Sequence, residues 1–264
     1  MAIERTFPDK KFFYIIQEVE TLFYPHGQEH YLCSRLLKSD NIVYIINSKY
    51  LYDYYVTNVP KVAENGIYFK PAFSEKLYKR TDFEKQQERY KMFFYARPNN
   101  PRNMYGYGLK LINLAVERGI IDTEKWEICF AGSELEDMEF SNGVKPVNMG
   151  LMSWKKYSQL MRTVDLTVSL MYTPHPSYPP YDAACSGAVV LTNTCLNKID
   201  FPDCNNIIMS DLEEETFLSK LKEAVELAQD FETRKKNYDA MTIPRDWMIV
   251  LEDTLTYMRE KIDV

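Results

Sequence analysis

The segment Asp165–Thr194, DLTVSLMYTPHPSYPPYDAACSGAVVLTNT, constrains the fold more than any other stretch. Asp165–Met171 alternates and is rich in β-branched residues, so it suits a strand. Thr173–Pro180 carries four prolines in eight residues, which excludes regular structure. Pro179 and Pro180 stand where a helix can begin, because the first helical N–H groups have no partner anyway. Gly187 can end that helix, and AVVLT reads as a buried strand. A proline-stiffened polar loop feeding a helix N-terminus suits a phosphate or sugar at the C-terminal edge of a parallel sheet.

The rest of the chain agrees with an α/β reading. Up to residue 75, strands are expected at Lys11–Gln17, Asn41–Ile46 and Ile67–Phe69, with a loop at Glu18–Gly27. Helices are expected at Gln28–Lys38 and from a Ser48 cap to Tyr55. Two or three strands are too few to bury a sheet on both faces. Residues 75–90 are highly charged and read as a surface linker or exposed helix. Strand and helix then alternate: Lys91–Tyr95, Asn103–Arg118, Trp126–Ala131, Val147–Gly150, Trp154–Arg162 behind Ser153, the proline block, Asn206–Met209, and a helix from Ser210 to Ala228. That order implies a doubly wound parallel sheet. Trp247–Ile262 reads as a final amphipathic helix. The expected organisation is a partial N-terminal α/β domain (1–75), a Rossmann-like domain (76–240) and a C-terminal helical segment (241–264).

Bulk properties exclude several classes. A net charge of −6 argues against a nucleic-acid partner, although a local basic cluster could still hold a diphosphate. The five cysteines show no CxxC spacing and read as reduced residues of a cytoplasmic protein, not a disulfide frame or zinc site. No apolar run has transmembrane length, so association with the inner face of a membrane would be peripheral. Twenty tyrosines suit sugar stacking, and equally an aromatic core. His26, His30 and His175 form no compact metal-ligand cluster, no Asp-x-Asp pair is present, and no metal or other cofactor is expected.

Arg97, just past a strand, and Arg102, at the mouth of the next helix, can make an anion site; alternatively they pair with surface carboxylates. Gly132 ends the strand of FAGSE, either to let a ligand approach or to make a tight turn. Asp182 lies in the first turn after the proline loop, as a carboxylate favouring the helix dipole or as a ribose ligand. His175 and Tyr178 share its loop.

Taken in order, strand–ARP–x3–RN–helix, strand–AG, G-L-x-S before a helix, and the proline block resemble the nucleotide-binding domain of retaining GT-B glycosyltransferases. The nearest resemblance is to bacterial rhamnosyltransferases of surface-layer and O-antigen glycan assembly, where the block reads SLMYSPHPSYPPLEMAASGALVVTN. The N-terminal FFYIIQEVETLFYPHGQEHYL is similar to that group's YFIQDYEPLFYPxGSEYxLA. The resemblance implies a GT-B fold whose N-terminal domain is truncated. It also implies metal-independent transfer of a deoxysugar such as rhamnose from a nucleotide diphosphate to a glycan or lipid-linked acceptor. Arg97 and Arg102 would neutralise the diphosphate, Gly132 would flank the nucleotide, and Leu151 would meet the base. Asp182 would bind ribose as the second carboxylate of the family's Glu-x7-Glu signature, one methylene short. The first carboxylate falls at Pro174 and is absent, leaving His175, Ser177 or Tyr178 to hold the sugar. The resemblance also implies that the final helix crosses back to the N-terminal part. Glu18, Glu20 and His26, in the loop expected to face the cleft, are candidates for the donor sugar or for acceptor deprotonation. The rival reading is a nucleotide-sugar-binding module that works as an oligomer or with a partner chain supplying the missing portion.

Overall fold

The computed structural model describes residues 6–7, 9–83 and 88–262. Two parallel sheets are present. The first contains β1 (Phe12–Ile16), β2 (Ile42–Asn47) and β3 (Gly66–Phe69) in the order β1-β2-β3. The second contains β4 (Tyr90–Tyr95), β5 (Trp126–Ala131), β6 (Val147–Asn148), β7 (Leu166–Val168), β8 (Val189–Asn193) and β9 (Ile207–Ser210). Its order is β6-β5-β4-β7-β8-β9, with every pairing parallel.

Alternation along the strands of the second sheet sends side chains to two cores. Met92, Phe94, Phe130, Val168 and Leu191 meet Leu111 and Ala115 of helix Tyr105–Glu117 and Phe217 and Leu221 of helix Glu214–Gln229. Phe93, Ala131 and Val190 meet Leu160 of helix Trp154–Met161 and Ala183 and Ala184 of helix Pro179–Cys185. The helices therefore cover both faces, as a parallel sheet requires.

The first sheet departs from expectation. All six residues of β2 are buried despite the small sheet. Leu51, Tyr55 and Val62 cover Tyr44 and Ile46 on one face, while Val43 and Ile45 share a cluster with Leu251, Tyr257 and Met258 of the final helix, Trp247–Ile262. Covering comes from the far end of the chain.

Other differences have local causes. Ser48 stands at the start of helix Lys49–Asn58, but its Oγ makes no cap and has no hydrogen-bond partner. The strand expected at Asp165–Met171 is three residues long, Leu166–Val168, and beyond it the Met171 N–H donates to the Asn193 side-chain oxygen at 2.7 Å. The segment expected as an exposed linker is anchored. It forms a short helix, Glu75–Tyr78, and then buries Arg80 and Phe83. Residues 84–87 of that segment lie outside the described residues. The helix expected from Ser210 begins at Glu214 instead, and a further helix, Phe231–Asp239, follows it.

Asp165 and the Val164 carbonyl anchor the Arg80 segment, and both also hold Arg234, which is fully buried. It donates to Asp165 Oδ1 at 2.9 Å and to the carbonyls of Gly187, Val164 and Ala228. Arg80 joins it on Asp165 Oδ1 and on the Val164 carbonyl. Gly187 sits at φ +82°, where a Cβ would lie 2.6 Å from the Arg80 side chain. Glycine is needed there for both conformation and space.

Candidate functional site

Strands β4 and β7 are neighbours whose onward connections run to opposite edges of the sheet. A crevice forms outside the C-terminal ends of strands at such a reversal. Here the crevice is a cavity of about 560 Å³. Its lining brings together Arg97, Gly132, Leu151, Tyr178 and Asp182, five of the residues singled out from sequence.

Each is placed by a definite local cause. Gly132 follows β5 where a Cβ would lie 1.6 Å from the Ala96 carbonyl oxygen, so any side chain would clash with the backbone leaving β4. Arg97 follows that carbonyl and is exposed to the cavity, without an ion pair among the described residues. Leu151 is 83% exposed on the rim and Trp154 is 81% exposed beside it, two apolar surfaces suited to a flat ring. Asp182 is buried at the floor, where the Tyr157 hydroxyl donates to its Oδ2 at 3.3 Å. Burial pushes its carboxyl up to about 7, against the lowering effect of the Tyr78 and Tyr157 hydroxyls.

A second polar group lies at the junction of the two sheets. Glu18, two residues past β1, is 7% exposed. Its Oε2 takes a 2.7 Å ion pair from Arg102 and a 3.3 Å hydrogen bond from Thr173 Oγ1, while Oε1 accepts from the Val19 N–H. Burial raises the Glu18 pKa, with those contacts and the charge of Lys198 opposing it. Of the two readings of the arginines, Arg102 thus takes a carboxylate, though a buried one from the first sheet. Its guanidinium also lies 4.1 Å over the Phe23 ring. Tyr178 spans both regions: it lines the cavity, and its hydroxyl accepts from Asn47 Nδ2, at the end of β2, at 2.6 Å.

The proline loop is held by its own polar atoms. Ser177, at φ +65°, donates its N–H to His175 Nδ1 at 3.0 Å, and Thr173 Oγ1 accepts from the His175 N–H. Nδ1 is therefore the accepting nitrogen, and the proton sits on Nε2, which is buried without a partner. Burial, with Lys198 and Arg102 nearby, drops His175 to about 3, so the ring is neutral at physiological pH.

The structure splits the expected loop trio of Glu18, Glu20 and His26. Only Glu18 reaches the junction. The Glu20 carboxylate accepts from the Tyr14 hydroxyl within the first unit, because the turn Glu20–Phe23 aims it back over β1. His26 is exposed, its ring 4.5 Å from that of His30. Lys198 was not singled out from sequence. It is fully buried, donates to the Met171 carbonyl at 2.8 Å, and is pushed down to about 8 by burial. A lysine in the short turn CLNK carries no periodic signal of burial. Among the described residues, no group of three or more His, Cys, Asp and Glu is placed to hold a metal ion, and no helix is long and apolar enough to cross a membrane.

Residues 90–222, half of the chain, match the family described as WsaF, C-terminal domain. The chain belongs to the WsaF C-terminal domain family. The matched region holds the whole second sheet and every cavity-lining residue from Tyr95 to Asp182. A curated relative, "O-antigen biosynthesis protein RfbC" of Myxococcus xanthus, is 27% identical over 214 residues. That match takes in 80% of this chain and 16% of RfbC, so this WsaF-family chain spans about a sixth of its relative's length. Among solved structures, Anabaena Alr3699/HepE in complex with UDP-glucose has a TM-score of 0.71 at 13% identity, over 98% of this chain and 75% of that one. WaaG, a glycosyltransferase involved in lipopolysaccharide biosynthesis, has a TM-score of 0.64 at 11% identity, over 92% and 77%. The fold is of the GT-B type.

Proposed function

We propose that the chain is a glycosyltransferase of surface-polysaccharide or O-antigen synthesis that takes its sugar from a nucleoside diphosphate. The cavity at the β4/β7 reversal carries this reading. It combines an exposed arginine, a glycine that no side chain can replace, apolar rim residues and a buried carboxylate. Arg97 suits the diphosphate, Leu151 and Trp154 the base, and Asp182 the ribose hydroxyls. Family membership and the O-antigen relative support the same process. Cations fixed beside the leaving diphosphate would act where charge develops in transfer. His175, through Nε2–H, and Tyr178 are the candidates to hold the sugar. Glu18 is the candidate to take a proton from the acceptor hydroxyl, and burial moves its pKa in the direction a base requires.

The finer reading is a deoxysugar such as rhamnose, transferred with retention and without a metal to a glycan or lipid-linked acceptor. Calorimetry against dTDP, UDP, GDP and ADP, each with and without EDTA, tests it. Saturable binding of one diphosphate, unchanged by EDTA, is expected, and binding of none would overturn the donor site. A partner-dependent binding module is the second reading, favoured by Ile15, 58% exposed on the edge strand β1. A monomer with transferase activity would exclude it.

A further inference from the structure

Arg102 faces two claims on its guanidinium. Arg97 lines the cavity, and its charge reaches Arg102, lowering that pKa alongside the larger effect of burial. Yet the Arg102 NH1 is already engaged by Glu18 at 2.7 Å. The Arg102 side chain is 24% exposed and the Glu18 side chain 9%. The arginine is therefore the half of the pair that solvent, or a ligand, can reach.

Glu18 also has supports that do not depend on Arg102. The Val19 N–H and Thr173 Oγ1 bond its two oxygens, and the charge of buried Lys198 acts on it. Lys198 is itself fixed to the Met171 carbonyl, two residues before Thr173. If Arg102 turned away, the carboxylate would keep hydrogen bonds and a cation. A buried carboxylate without them would be strongly destabilising.

We propose that Glu18 is an internal competitor of the donor's phosphates: its carboxylate occupies Arg102 in the empty site, and a bound nucleoside diphosphate takes Arg102 over, leaving Glu18 to Thr173 and Lys198. This inference rests on the nucleotide-binding reading above and adds a coupling to it. Arrival of the diphosphate removes the nearest cation from Glu18, so the carboxylate becomes a stronger base only when a donor is present. Phosphate oxygens can replace a carboxylate on a guanidinium because both accept from its N–H fork.

The test is calorimetric titration of wild type, Glu18→Gln, Arg102→Ala and the double variant with UDP, dTDP, GDP, ADP and inorganic pyrophosphate. Thermal melts would confirm that each variant is folded, and Glu18→Ala is the second probe should Glu18→Gln fail to fold. Glu18→Gln removes the competing charge and keeps the shape. It should bind the diphosphate about tenfold tighter or more, the scale of one charge-assisted hydrogen bond. That gain should vanish when Arg102 is also removed. Equal or weaker binding by Glu18→Gln would overturn the exchange while leaving the nucleotide site standing. A gain that survives in the double variant would also overturn it, since the effect would then be general charge. Absence of binding by every variant would instead remove the nucleotide reading and this inference with it.

Discussion

Replacing Asp182 with asparagine isolates the titration of a buried carboxylate at the cavity floor. Its pKa is raised from 3.8 to about 7, chiefly by burial. An acid whose folded pKa lies above its unfolded value favours folding when protonated. The stability linked to it is complete below the unfolded pKa and is lost as pH rises through the folded one. With those two pKa values, the loss is about 2 kcal/mol at pH 5 and about 4 kcal/mol at pH 8, a change of roughly 2–3 kcal/mol across the interval. The asparagine side chain has the same shape, does not ionise, and can still accept from the Tyr157 hydroxyl. The difference between wild type and Asp182→Asn cancels the titration of every other group. Urea unfolding of both proteins, without ligand, from pH 5 to pH 8 measures it. Asp182→Asn should gain on wild type by roughly 2–3 kcal/mol over that range, and most of the gain should fall below pH 7. Parallel curves for the two proteins would show that Asp182 does not titrate in this window, and would refute the argument that burial holds its carboxyl near neutrality.

Three further outcomes follow from the geometry. Gly132→Ala should destabilise the fold by about 2 kcal/mol or more in urea unfolding, because its Cβ meets the Ala96 carbonyl backbone and not a movable side chain. Arg234→Met should cost about 3–5 kcal/mol, read as a lower urea midpoint, since it strips a buried cation from Asp165 and leaves carbonyls unpaired. His175, lowered to about 3 by burial, should show imidazole NMR shifts that stay flat from pH 5 to pH 9; a midpoint near 6.5 would place the ring in solvent.

Local signals in the chain were strong where one element decides its own form. Pro179 and Pro180 open a helix because they need no N–H partner, and that helix is observed at Pro179–Cys185. Trp126–Ala131 and Trp247–Ile262 match their expected bounds, each being an apolar pattern with a clear period. Signals failed where a distant residue settles the outcome. The charged stretch around Arg80 reads as solvent-facing until Asp165 and Val164, in a different strand region, accept its guanidinium. The first sheet reads as underburied because its cover is the last helix. In the site, Arg97, Gly132 and Asp182 were legible since each owes its place to a strand end or helix start within a few residues. Glu18, Glu20 and His26 share one loop and were not separable: which carboxylate turns inward depends on a short turn whose direction no periodicity encodes.

The junction cluster shows why this matters for the chemistry. Glu18, Arg102, Thr173, His175 and Lys198 come from four separate stretches of chain, and no two of them share a helix or a strand. Among the charged members, two cations face one carboxylate in a buried setting, with an unpartnered Nε2–H beside them. Electrostatics in such a place are stronger than in water, and so is the penalty for leaving a charge unmatched. An excess of positive charge there is stable only if desolvation shifts it or an anion completes it. The first tendency is visible in Lys198, pushed down to about 8. The second is what a diphosphate would supply. The ionic state of the junction and the occupancy of the adjoining cavity are then one equilibrium, and Arg102 is the group through which each acts on the other.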